Sequence, residues 1–86
     1  MIKFDFYSEK YNAFTVSLLV SEGKGHDIKE YKLHLKSKGV EVWNNFCESL
    51  LDFKDENGKS IKNFLSIYAI TFYSEEEFLI SNLLVV

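Results

Sequence analysis

The sequence predicts an α+β domain, a curved antiparallel sheet of four to five strands packed on one amphipathic helix in the order βββαββ. Three segments before residue 37 alternate apolar and polar residues, the period of a strand with one buried face. Between residues 40 and 53 the apolar spacing changes to three and four residues, the period of an amphipathic helix. The segment that begins at residue 67 is rich in β-branched and aromatic residues, which favour strands.

The first three predicted strands form a meander. Residues 2–7 make the first strand, and after a short polar turn we expect residues 14–21 to pair back on it as a hairpin. A loop at residues 22–26 contains two glycines that suit a tight turn. Residues 30–36 then resume the alternation and complete the meander as a third strand.

The predicted helix covers residues 40–53, about four turns. Six residues form its apolar face: Val40, Trp43, Phe46, Cys47, Leu50 and Phe53. A polar loop with an Asn-Gly turn signal follows at residues 54–60, and we expect a short helical turn at residues 61–65.

The last third of the chain carries the fourth strand and one ambiguous segment. Residues 67–73 predict the fourth strand. Residues 74–77 match the start of a capped helix, whereas residues 78–86 are apolar at both odd and even positions and end in two valines. We expect a fifth strand at this end, with a helix as the alternative.

Composition indicates one globular domain over residues 1–86, because 47% of the residues are hydrophobic and 16% are aromatic. The single cysteine, Cys47, has no partner for an intrachain disulfide, and we expect no secretory leader. The longest apolar run, residues 83–86, is too short to span a bilayer. The prediction is therefore a cytoplasmic protein that does not enter membranes.

Charge argues against direct binding of nucleic acid. The net charge is −3, and all ten basic residues are lysines, so the arginine fork that clamps phosphates and guanine is missing. Residues 1–40 hold seven lysines and five acids, whereas residues 41–86 hold three lysines and eight acids. The acidic half suggests a basic partner surface.

Candidate chemistry is sparse, and we predict no enzyme, no cofactor and no metal. The Gly58-Lys59-Ser60 sequence matches only the end of a phosphate-binding loop. Cys47 would need His26 or His34 as a base, and its expected place on the apolar side of a helix favours a buried structural thiol. Two histidines and one cysteine at scattered positions do not have the paired spacing of a zinc site.

Apolar residues exceed what one helix covering one sheet face would bury. The fourth strand and the last segment are apolar on both sides, so either the sheet curls strongly or another chain covers one face. Tyrosine-rich surface of this kind is typical of protein interfaces.

These observations lead to the hypothesis of a small acidic, non-catalytic protein-binding module. We expect an inhibitor or immunity-type protein, of bacterial or phage origin, that blocks a basic surface of a toxin or defence enzyme. The alternative is a homo-oligomeric structural or assembly subunit, for example a homodimer. The predicted partner-binding residues are Glu48, Asp52, Asp55, Glu56, Glu75, Glu76, Glu77, Tyr68 and Tyr73.

Overall fold

Two three-stranded antiparallel sheets make up the fold of the described residues. The computed structural model describes residues 1–21, 28–62 and 66–86. The strands are β1 (Ile2–Tyr7), β2 (Ala13–Ser21), β3 (Ile28–Lys36), β4 (Trp43–Glu48), β5 (Ser66–Ser74) and β6 (Leu79–Val85), with one 3₁₀ turn at Leu50–Asp52. The strand orders are β4-β1-β6 and β3-β2-β5. In the part of the chain described, no helix is long and apolar enough to cross a membrane.

The core lies between the two sheets. Alternate residues of the central strands β1 and β2 point toward each other, and the rings of Phe6 and Phe14 stack with centroids 4.0 Å apart. Phe46 of β4 stacks on Phe4 at 5.1 Å. Within the described ranges, the buried apolar residues are Ile2, Phe4, Phe6, Phe14, Val16, Leu18, Val20, Tyr31, Phe46 and Phe53. The second sheet, and not a helix, therefore covers the apolar face of the first.

The predicted α+β class is wrong, because residues 40–53 do not form a helix. Residues 43–48 are strand β4, paired antiparallel with β1 in the register Phe4↔Phe46. Within this strand Asn44 and Phe46 are buried, whereas Trp43, Asn45 and Cys47 are exposed. This alternation of burial has the period of two of a strand. The apolar spacing suggested a helix because Trp43 and Cys47 are apolar on the exposed face while the polar Asn44 lies on the buried one.

The buried side chain of Asn44 stabilises strand β4 in its place beside β1. Its side-chain oxygen accepts hydrogen bonds from the Lys38 and Gly39 N–H groups, both at 2.7 Å, and its amide nitrogen donates to the Phe6 carbonyl at 3.1 Å. Only 5% of Asn44 is exposed. A buried amide with these partners fixes the β3–β4 connection against β1, which a solvent-facing helical asparagine would not do.

Strand positions elsewhere are confirmed, but one pairing is not. β1, β2, β3 and β5 lie where strands were predicted, and the ambiguous C-terminal segment is strand β6. The expected hairpin of the first two strands is wrong, because β1 and β2 lie in different sheets. The glycine loop at residues 22–26 lies outside the described residues, as do residues 63–65 of the expected helical turn.

Three chain connections meet at one end of the two sheets. β1 ends where β2 begins, β3 ends where β4 begins, and β5 ends where β6 begins, as shown by the pairs Tyr7↔Trp43, Tyr7↔Leu79 and Phe14↔Ser74. We call this the turn end; its connections are residues 8–12, 37–42 and 75–78.

The edge strands β5 and β6 lie side by side along one flank. An open cleft separates them, which we call the seam. Its lining residues are Ile67, Tyr68, Ala69, Ile70, Leu83 and Val85.

Candidate functional site

The turn end is held together by backbone and hydroxyl hydrogen bonds between connections that are far apart in sequence. The Asn12 N–H group donates to Ser37 Oγ at 2.7 Å, and the Ser37 N–H group donates to the Asn12 carbonyl at 2.9 Å. The Glu41 N–H group donates to the Ser8 carbonyl at 2.9 Å. Because Ser8, Asn12 and Ser37 are buried, these bonds fix the first two connections against each other.

The side chain of Asn12 holds the third connection, residues 75–78, against the first two. Its Oδ1 accepts a hydrogen bond from the Ser74 hydroxyl, and its Nδ2 donates to the Glu76 carbonyl at 3.5 Å. The Glu76 N–H group in turn donates to Ser74 Oγ at 3.3 Å. The backbone that carries the three glutamates of residues 75–77 is therefore anchored to a buried polar group.

The net negative charge of the chain is concentrated at the turn end. Its three connections contain five acids and two lysines, a net charge of −3, and the other eight acids of the chain are balanced by eight lysines. The acids are Glu9, Glu41, Glu75, Glu76 and Glu77. Lys10 approaches Glu76 at 3.8 Å, but both side chains are exposed, so this ion pair neutralises little of the field.

Exposed aromatic and aliphatic side chains lie among these acids. Tyr11 is 73% exposed, Tyr73 52% and Trp43 49%. Trp43 lies beside Tyr7 with ring centroids 5.5 Å apart, and Leu79 pairs with Tyr7 from the other side. Aromatic residues in a polar surround are the composition of protein interfaces.

An open groove of about 870 Å³ runs across the turn end toward the outer face of the β3-β2-β5 sheet. Tyr11, Tyr73 and Glu75 line it at one side, and Thr15 and His34 line it at the other. A hydrogen bond of 2.8 Å joins Thr15 Oγ1 to His34 Nδ1. The groove is wide and shallow, which suits a protuberance of a protein better than an enclosed small molecule.

The structure separates the residues predicted to bind a partner into three places. Glu75, Glu76, Glu77 and Tyr73 lie together at the turn end. Tyr68 lies in the seam and is 71% exposed. The acids from β4 and the following loop, Glu48, Asp52, Asp55 and Glu56, lie outside both, and three of them line a cleft that also contains lysines.

Asp55 has a structural role. Its side chain is fully buried, its carboxylate lies 2.9 Å from Lys29 Nζ, and it accepts N–H groups from Asn57 and Lys59 at 2.8 and 2.9 Å. The Lys29 contact, followed by the Lys59 N–H bond, lowers the pKa of Asp55 from 3.8 to about 2. This carboxylate is occupied within the protein and is not offered to a partner.

The contacts of the Asp55 carboxylate also argue against a phosphate-binding loop at Gly58-Lys59-Ser60. Gly58 has φ +76° and closes a turn whose N–H groups at Asn57 and Lys59 point to the Asp55 carboxylate. The Ser60 hydroxyl donates to the Leu51 carbonyl at 3.0 Å. An internal carboxylate thus takes the place that a phosphate would need.

The structure separates Cys47 from His34, one of its two candidate bases, whereas the other, His26, lies outside the described residues. Cys47 is not buried on a helix, as predicted, but exposed on the outer face of β4. His34 lies on the outer face of β3, on the opposite side of the two sheets. Catalysis by this pair would need the two side chains within hydrogen-bond reach. Among the described residues no group of three potential metal ligands comes together.

Sequence reasoning missed Glu9, Tyr11 and Trp43 at the turn end. The sequence places Glu9 in a short polar turn, Tyr11 among the surplus apolar side chains, and Trp43 on the apolar face of the predicted helix. Their grouping depends on three connections converging, which no local pattern indicates. Comparison of the chain with protein-family models, curated proteins and solved structures finds no match.

Proposed function

We propose that this protein is a non-catalytic protein-binding module that uses the turn end to cover a basic surface on another macromolecule. The observation that carries the proposal is the concentration of the whole net charge of −3 in three connections that also present exposed aromatic side chains. Acids steer association with a basic partner, and aromatic residues supply contact energy once water is displaced.

The fixed backbone of the turn end supports this role. Binding costs less free energy when the contacting loops are ordered beforehand, and here Asn12 and Ser37 tie the connections together. A net charge of −3 is a modest field, so shape and aromatic contact must contribute alongside it. An inhibitor or immunity-type protein acts in this way, with a nucleic-acid-binding toxin or defence enzyme as a suitable basic target.

The proposal is tested by affinity capture from host lysate at low and high salt, roughly 0.05 and 0.5 M. Three baits are compared: the wild type, the triple variant Glu75→Lys/Glu76→Lys/Glu77→Lys, and the control Glu48→Lys/Asp52→Lys/Glu56→Lys, which makes the same change in charge elsewhere. We expect one stoichiometric partner that the wild type and the control retain at low salt and lose at high salt. The turn-end variant is expected to lose it in both conditions.

Retention of the partner by the turn-end variant, with unchanged salt dependence, would reject the proposal. All six substituted side chains lie at the surface, so we expect the three baits to be folded. Circular dichroism checks this. Tyr73→Ala then tests the aromatic contribution. Truncation of a tyrosine at an interface hot spot weakens the binding free energy of the complex by about 2 kcal/mol or more.

A further inference from the structure

The seam leaves core-facing side chains uncovered. Leu83 and Val85 of β6 face the cleft between the sheets, yet each remains 44% exposed. Ile2, the partner of Val85 on β1, is completely buried. The inward-facing side chains Leu83 and Val85 of β6 are therefore only partly covered by β5.

Both strands that border the seam also lack the usual protection of a sheet edge. In the described part of the chain, β5 pairs only with β2 and β6 only with β1. Residues 66–74 and 78–86 contain no charged side chain. Natural edge strands are commonly protected by charges or by a covering segment, and both are present at β3, where Lys32 and Lys54 exchange backbone hydrogen bonds of 2.8 and 3.0 Å.

The shape of the seam favours a second copy of the chain as its cover. A bulge in β5 makes Tyr68 protrude, with 71% of its surface exposed, directly beside the cleft that Ile70 and Leu83 line. A projection and a recess on one surface are what a two-fold interface needs, since each copy offers both. The missing charges allow two copies to approach without repulsion, and the acidic turn end lies at the other end of these strands.

We propose that two copies pack seam against seam about a two-fold axis, with Tyr68 of each entering the cleft between Ile70 and Leu83 of the other. Irregular register in β5 and β6 interrupts a continuous strand ladder, so side chains make the contact. This interface goes beyond the proposed function, because it uses a different surface.

The size of the seam predicts a weak dimer. Strands of nine and seven residues are roughly 25 Å long, and two packed sheets with flanking side chains are roughly 20 Å across. Each copy would bury about 500 Å², and the pair about 1,000 Å², the lower limit for a specific interface. We therefore expect a dissociation constant in the micromolar range.

Sedimentation velocity of the full chain, from about 1 to 300 μM, tests the proposal over the affinity range of small interfaces. We expect a monomer–dimer equilibrium in the wild type. Leu83→Glu should weaken it at least about tenfold, because a buried unpaired carboxylate is costly. The matched control Leu51→Glu changes a leucine that is 63% exposed outside the seam, and it should dimerise as the wild type does.

Tyr68→Ala serves as a second variant, since a side chain this exposed contributes little to folding, and it should also weaken the dimer. A wild type that stays monomeric at all concentrations would overturn the proposal. This holds even if a hydrophobic dye binds the monomer and Leu83→Glu abolishes that binding, because the seam would then be exposed but would not join two copies. A dimer unaffected by both seam variants would overturn it as well. The partner capture described above uses turn-end residues, so its failure and the failure of dimerisation are distinguishable.

Discussion

The carboxylate of Asp55 lies 2.9 Å from the ammonium group of Lys29, which joins the loop after β4 to the edge strand β3. Two further hydrogen bonds, from the Asn57 and Lys59 N–H groups, hold the same carboxylate. The pair closes the side of the molecule opposite the seam. Asp55, which the sequence predicted to bind a partner, therefore stabilises the fold instead.

Acid stability should depend on Asp55. Its pKa is about 2 in the folded protein and 3.8 without these partners, so folding favours the ionised form. The resulting stabilisation is fully present above pH 3.8 and is lost as the pH falls toward 2. We expect Asp55→Asn to lower the free energy of unfolding at pH 7 and to flatten its pH dependence in this window.

Urea unfolding followed by Trp43 fluorescence between pH 7 and pH 2 measures this effect. Asp52→Asn is the control, because it removes an exposed carboxylate of the neighbouring 3₁₀ turn. Equal pH profiles for Asp55→Asn and the wild type would show that the Lys29 contact does not stabilise the fold.

Asn44→Ala distinguishes the observed strand from the helix that the sequence predicted. In strand β4 the substitution removes the acceptor of the Lys38 and Gly39 N–H groups, at a cost of about 1–3 kcal/mol. On the exposed face of a helix the same change would be stabilising by up to about 0.7 kcal/mol, since alanine is the better helix former. The sign of the change in unfolding free energy is the measurement, with Asn45→Ala as the exposed neighbour for comparison.

The bulge in β6 should depend on the backbone conformation of Asn82. This residue has φ +53° and donates from Nδ2 to Asp5 Oδ2 at 2.7 Å, and that bond, followed by one from Asn45, lowers the pKa of Asp5. Asn82→Gly and Asn82→Val both remove the side-chain bond. Only valine resists a positive φ, so we expect Asn82→Val to be less stable than Asn82→Gly by about 1–2 kcal/mol. Equal thermal unfolding of the two variants would contradict the observed bulge.

Local pattern predicted where most strands lie but not how they assemble. The alternation in residues 2–7 and 14–21 is a property of each segment, and it is confirmed in β1 and β2. β2 pairs with the next strand β3, as the meander predicts, but the neighbours of β1 are distant in sequence, since β1 pairs with β4 and β6, more than 30 residues away. The helix prediction failed because polarity does not follow burial in β4, where the apolar Trp43 and Cys47 face outward and the polar Asn44 faces the core.

The candidate site was predictable only in part. The three glutamates of residues 75–77 and the neighbouring Tyr73 stand out by composition alone. Glu9, Tyr11 and Trp43 become neighbours of that group only because connections of different strand pairs converge. Asp55 could not be told from the exposed acids, because its burial depends on Lys29 from another sheet segment.

Hydrogen exchange of the captured complex shows which surface of the protein faces the partner. We expect slower amide exchange on binding at residues 8–12, 37–42 and 75–78, with little change along β3 and the loop at residues 53–60. Slower exchange confined to that loop and β3, or to the seam, would contradict the assignment of the turn end as the binding surface.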